Sequence, residues 1–209
     1  MSYNAIVFET QFPIVKRFIY HYVFHKELSR AYKKLNLESE FWTLTIDAHL
    51  LQSSIHWCMV FGAKGCNPTH WAHLSDGDVR SLQEQFRKGL INSVDITFDE
   101  WEEYWQKMKN FRDQYVAHRE LNFNSPVPRF TLALNIAYFY DRWIRDLIFP
   151  EIFEEPPLED TAKKLTKYSS WLSKKLMKQS KNYTESGSRG FLTPSPHTTR
   201  HAGPHRAVR

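Results

Sequence analysis

Apolar residues along most of this chain recur at the spacing of helices and not in the alternation of strands. Phe12, Val15, Phe18, Ile19, Tyr22 and Phe24 mark one helix over residues 9–37, and Phe41, Leu44, Ile46, Leu50, Leu51, Ile55 and Trp57 mark a second over 38–61. Pro13 lies inside the first and is the point at which it would kink. A loop follows over 62–74, where Gly62, Gly65 and Pro68 interrupt the pattern. Ser75-Asp76-Gly77-Asp78 then supplies capping groups for a third helix reaching Ile91.

Thr97-Phe98-Asp99-Glu100 reads as a capping box, the hydroxyl accepting from the amide three residues on while the glutamate reaches back. It opens a helix to about His118, with Trp101, Tyr104, Trp105, Met108, Phe111, Tyr115 and Val116 on one stripe. Pro126 and Pro128 stop regular structure, and a very apolar helix follows over 129–149. Pro150, Pro156 and Pro157 separate it from a Lys-rich amphipathic helix over 158–181. The pattern therefore predicts an all-α bundle of five to six helices over 1–157, a basic helix over 158–181 packing on or extending it, and a disordered basic tail over 182–209.

Composition narrows the picture. A chain of 209 residues with 42% hydrophobic and 15% aromatic residues can bury a sizeable core, and seven glycines are too few for the turns of a β-sandwich or barrel. Cys58 and Cys66 do not form a disulfide framework, and no signal-like segment opens the chain, which together point to the cytoplasm. Asp141, Arg142, Arg145 and Asp146 interrupt the most apolar stretch, so no membrane insertion is expected. Charge is uneven: residues 1–157 hold 17 basic and 20 acidic residues, whereas 158–209 hold 11 and 3. That basic quarter suits a polyanion, or simply a solvated helix and tail.

The candidate chemistry lies at Arg112 and His118. On an ideal helical wheel Arg112 falls inside the apolar stripe of residues 101–116, a position that asks for an anion, either carboxylate or phosphate. His118 is about 9 Å of rise and about 120° of rotation further on. One ideal helix does not aim both at one point, so either the helix bends or ends near His118, or a two-fold dimer completes the cleft.

The heptapeptide Arg112-Asp113-Gln114-Tyr115-Val116-Ala117-His118 resembles the R-x4–6-H motif of the HEPN superfamily. The surroundings from Trp101 to Glu120, and the segment from His56-Trp57 to His70-Trp71, resemble its abortive-infection branch, a likeness covering about residues 5–155. The resemblance implies a dimeric helical bundle acting as a metal-independent endoribonuclease, with no cofactor and with Arg112 and His118 as its catalytic pair. It further implies RNA as substrate, a toxin or phage-defence role, and a possible antitoxin or other regulatory protein. The chemistry is sensible on its own terms, since histidine can move protons near neutral pH and arginine suits a crowded phosphate dianion. Asp113 would orient His118 or brace Arg112, Tyr115 would pack in the stripe, and Arg119 would hold substrate or an interface carboxylate. His118-Arg119-Glu120 departs from the His-x-Tyr of toxins paired with a nucleotidyltransferase. The alternative is a non-catalytic RNA- or protein-binding module using the same cleft, or a scaffold in which Arg112 is an inter-subunit ion pair.

Other clusters compete. His56, Cys58, Cys66, His70 and His73 raise the question of zinc, against a half-buried loop packed by Trp57 and Trp71. His21 and His25 share a helical face at i, i+4, the spacing of a two-histidine metal site, but no carboxylate pattern completes it. His197, His201 and His205 belong to the low-complexity tail. No phosphate-binding glycine loop, dinucleotide turn or nucleophile elbow occurs.

Overall fold

The structure, a computed structural model, describes residues 3–75, 79–118, 120–122, 124–148 and 154–187, with side chains to residue 183. Six α-helices dominate it: α1 (Ala5–Leu35), α2 (Glu40–Phe61), α3 (Val79–Val94), α4 (Phe98–Phe111), α5 (Phe130–Ile148) and α6 (Leu158–Gly187). Among the described residues the only strand-like pairing is one isolated bridge, Tyr3 to Ser75. The all-α bundle expected from the pattern is thus present. Asp76, Gly77 and Asp78, expected to cap α3, and the tail beyond residue 187 lie outside the described residues.

Several boundaries differ from the pattern, α3 among them, which runs to Val94 and past Ile91. α1 starts at Ala5 because Asn4 caps it, its side chain accepting from the Val7 amide at 3.0 Å. Pro13 does not end the helix, since its ring faces solvent, where water can take up the carbonyl it leaves unpaired. α6 runs six residues beyond the expected end at 181, into the segment read as tail.

α1 is the central strut. Asn36 closes it in the left-handed region (φ 47°), turning the chain so that α2 returns antiparallel along it. α6 lies on another side of α1 and runs in the same direction: Glu155, just before it, pairs with Lys16, while Lys181 near its end donates to the Leu35 carbonyl. Asp141 of α5 fixes the start of α6 by accepting from the Leu158 amide at 2.8 Å and from Arg145 at 3.0 Å. That buried carboxylate is thereby both paired and hydrogen-bonded, as burial of a charge requires.

The main core gathers the first two-thirds of α1, the end of α2, and α3 to α5. Trp57 is fully buried, its ring 5.5 Å from Phe61, 6.3 Å from Trp101 and 6.0 Å from Tyr104. Trp71, in a short 3-10 turn, stacks on Phe86 at 3.9 Å. Large rings of this kind contribute about 1.5–3 kcal/mol each on full burial. A second, small cluster of Ala31, Ile46 and Met177 lies where the far ends of α1, α2 and α6 meet, flanked by Leu28, Tyr32 and Trp42.

Candidate functional site

The helix that carries the Arg-His motif is built in two parts. Its start follows the sequence: Thr97 Oγ1 accepts from the Glu100 amide at 3.2 Å and Glu100 Oε2 accepts from the Thr97 amide at 2.8 Å, a complete capping box. The buried stripe Trp101, Tyr104, Met108 and Phe111 then locks α4 onto α2, with Trp105 Nε1 donating to the Phe61 carbonyl at 2.9 Å. From Arg112 to Ala117 the backbone changes to a π-helix, with i to i+5 hydrogen bonding. The segment ends at His118, whose backbone is extended (φ −129°, ψ 113°) and whose amide still donates to the Asp113 carbonyl at 3.1 Å.

The helix expected to reach about His118 therefore does so in two forms, α-helical to Phe111 and π-helical from Arg112 to Ala117. A π turn holds more residues than an α turn, so the angular relation between Arg112 and His118 is not that of an ideal wheel. Arg112 opens the widened segment and His118 closes it, exposed, at its mouth. Among the described residues no hydrogen bond or ion pair joins the two. Of the alternatives for uniting them, the helix does end at His118, yet its end does not bring the pair into contact.

Arg112 is one-third exposed, not enclosed in the core, and the π segment that it opens packs against α2. The Cys58 thiol donates weakly to the Met108 carbonyl at 3.8 Å, a carbonyl that also accepts from the Arg112 amide, and burial pushes the thiol up to about 12. Asp113 forms an ion pair with Arg112 Nε, although the contact lacks hydrogen-bond geometry and leaves this buried nitrogen without a well-aligned acceptor. Lys109, one turn earlier, reaches the same carboxylate at 3.2 Å. The Asp113 carboxylate thus pairs with Arg112 and Lys109 and, among the described residues, not with the His118 side chain. Lys109 is the neighbour that sequence reading missed, although its i, i+4 spacing to Asp113 is a usable signal.

Tyr115 stacks on Phe111 at 5.1 Å and, with Val116, packs half-buried on the core, as its place in the stripe predicts. Arg119 lies outside the described residues.

The histidines and cysteines regroup. Cys58 is buried in the core, Cys66 is exposed and free, and His56 points to the opposite side of α2, stacked on His21 at 5.2 Å. His70 is buried, its Nδ1 accepting from the Ala72 amide at 3.2 Å, and burial pulls it down to about 4. The five residues weighed for zinc accordingly do not converge. Nor do His21 and His25 act together: His21 Nδ1 lies 2.9 Å from His49 Nδ1, while His25 hydrogen-bonds the Ile46 carbonyl. Burial, then the neighbouring His49, brings His21 down to about 4. Among the described residues no group of three or more such side chains has the arrangement of a metal site.

A cavity of about 240 Å³ opens at the other end of α4, between Trp71, Trp101, Trp105, Lys64 and Arg87. Neither Arg112 nor His118 lines it. His118 is instead exposed, and Arg112 is half-buried.

Among the described residues no helix is long and apolar enough to cross a membrane. No protein-family model, curated protein or solved structure matches the chain.

Proposed function

We propose that this protein is a metal-independent endoribonuclease of HEPN type, with Arg112 and His118 as its catalytic pair. One observation carries the reading: a π-helical segment begins at an arginine whose only carboxylate partner among the described residues is shared with Lys109, and ends at an exposed histidine. π segments are rare and concentrate at functional sites. RNA brings its own nucleophile. His118 would take the proton from a 2′-hydroxyl as that oxygen attacks the adjacent phosphorus. The bond to the 5′-oxygen then breaks as that oxygen receives a proton, leaving a 2′,3′-cyclic phosphate and a 5′-hydroxyl. Arg112 would stabilise the doubly anionic intermediate through paired N–H donors.

Two proton transfers on opposite sides of the phosphorus are best served by two histidines, and a two-fold dimer would supply the second. The apolar stripe Leu44, Ala48, Leu51, Ile55 and Met59 on α2 supports this. It is exposed or half-buried, and it borders Cys58, whose thiol shares the Met108 carbonyl with the Arg112 amide. A toxin or phage-defence role, with an antitoxin or other regulatory partner, rests on the motif resemblance alone.

The test is cleavage of RNA in EDTA by the purified protein, compared with His118→Ala. Loss of cleavage with unchanged circular dichroism is expected, and full retained activity would overturn the role of His118. The Arg112–Asp113 ion pair favours a second reading, a module that binds RNA or protein without turnover. That reading predicts binding that Arg112→Ala weakens more than His118→Ala does.

A further inference from the structure

α6 resolves into two faces. Leu158, Ala162, Ser169, Ser173 and Met177, spaced four or seven residues apart and so on one side of the helix, are buried. The opposite face carries Lys164, Lys167, Lys174, Lys175 and Lys178, all exposed and without a carboxylate partner among the described residues. No acidic residue occurs between positions 161 and 183. Amid these lysines stand Trp171 (56% exposed) and Tyr168 (57% exposed), their rings 6.2 Å apart, with Lys175 Nζ 5.2 Å from the Trp171 ring. Lysines 167, 174 and 178 flank Trp171 along a shallow groove of about 520 Å³.

An exposed tryptophan is not needed to hold α6 in place, since the buried stripe does that. From Lys164 to Lys178 the ridge spans about 21 Å at 1.5 Å per residue. A continuous positive surface with no counter-charge calls for a polyanion, and flat rings between the cations call for flat partners. A bilayer surface fits less well. Membrane-lying helices bury an aliphatic face in lipid, and the apolar stripe of α6 is already covered by the bundle.

We infer that the outer face of α6 is a docking surface for single-stranded RNA, with Trp171 and Tyr168 stacking on bases and Lys164, Lys167, Lys174, Lys175 and Lys178 following the phosphates. As the holding surface for the RNA substrate it rests on the endoribonuclease reading, but the binding itself is testable apart from cleavage.

The probe is a fluorescein-labelled 12-mer of mixed sequence carrying 2′-O-methyl groups, which lack the nucleophile and cannot be cut. Anisotropy with the full chain is expected to show binding that weakens with salt. Trp171→Ala should weaken it about 5- to 100-fold, the range typical of one lost base stack. Lys167→Glu with Lys174→Glu should weaken it and reduce the log–log salt slope by about 1.4, or roughly 0.7 per lost phosphate contact. Both sets of changes lie on an exposed face, and an unchanged melting temperature confirms that the fold is kept.

Absence of oligonucleotide binding overturns the inference. So does binding indifferent to Trp171→Ala, or Trp171-dependent binding to phosphatidylglycerol vesicles with none to RNA. Binding that depends on these residues without cleavage of natural RNA upholds it while the endoribonuclease reading falls. Cleavage with KM unchanged in both variants does the reverse.

Discussion

The two ends of the motif-bearing helix obey different rules. At the start, four consecutive residues contain everything needed: Thr97 and Glu100 satisfy each other's backbone amides, and no distant residue takes part. At the end, the backbone abandons i to i+4 bonding at Arg112 while the composition stays helix-compatible. What holds that end is tertiary. Phe111 is buried with its ring 5.1 Å from Tyr115 and 6.2 Å from Phe130 of α5, and the widened segment leans on α2. Helix starts are written locally, then, whereas the manner of ending is set by what the last turns must reach. A π turn has poorer intrinsic stability and persists where packing over-determines it.

This contrast can be broken most severely at the end that carries the proposed catalytic pair. His118→Ala is expected to lower RNA cleavage by about 10²–10⁴-fold, the usual worth of a general acid–base group, with helix content unchanged. Deleting Gln114 should do comparable damage by a different route. One residue fewer lets α bonding run through the segment and re-aims His118, so circular dichroism stays helical while cleavage is lost. Cleavage undiminished in the deletion variant would show that the π geometry is incidental.

Smaller effects fall on stability. Phe111→Ala removes the ring that joins the two halves, and about 3–5 kcal/mol of unfolding free energy should go with it in urea titration. Thr97→Ala breaks the capping box at the other end, where about 1 kcal/mol is expected and cleavage should be unaffected. A loss at Thr97 equal to that at Phe111 would contradict the local character of the start.

Acid sensitivity should come from neither end. His21 and His70 titrate at about 4 in the folded chain against an ordinary 6.5, because burial disfavours their charged forms. The unfolded chain therefore binds more protons between those values. Stability is full above about pH 6.5 and falls as pH drops toward about 4. The direction is checked by melting temperature against pH, and His21→Gln should flatten part of that decline.

Much of this molecule was legible in its residue pattern. The six helices and the buried faces of α4 and α5 follow from apolar spacing, because a helix that must bury one side writes that requirement every three to four residues, and the capping box follows from Thr97 and Glu100 at its own spacing. Arg112 stood out for the same reason, as a cation where the pattern demands an apolar side chain. The π segment was not legible, since its residues keep α-like spacing and its packing on α2 joins residues distant in sequence. The choice of Arg112 over His118 as partner of Asp113 depends on that turn as well. The pairing of His21 with His49 and His56, in place of His25, required the α1–α2 hairpin to close across 28 residues. The chain by itself determined which faces are apolar and where helices start. Tertiary packing decided how the critical helix ends and which polar groups meet there, because those depend on neighbours distant in sequence and on burial that no local pattern records.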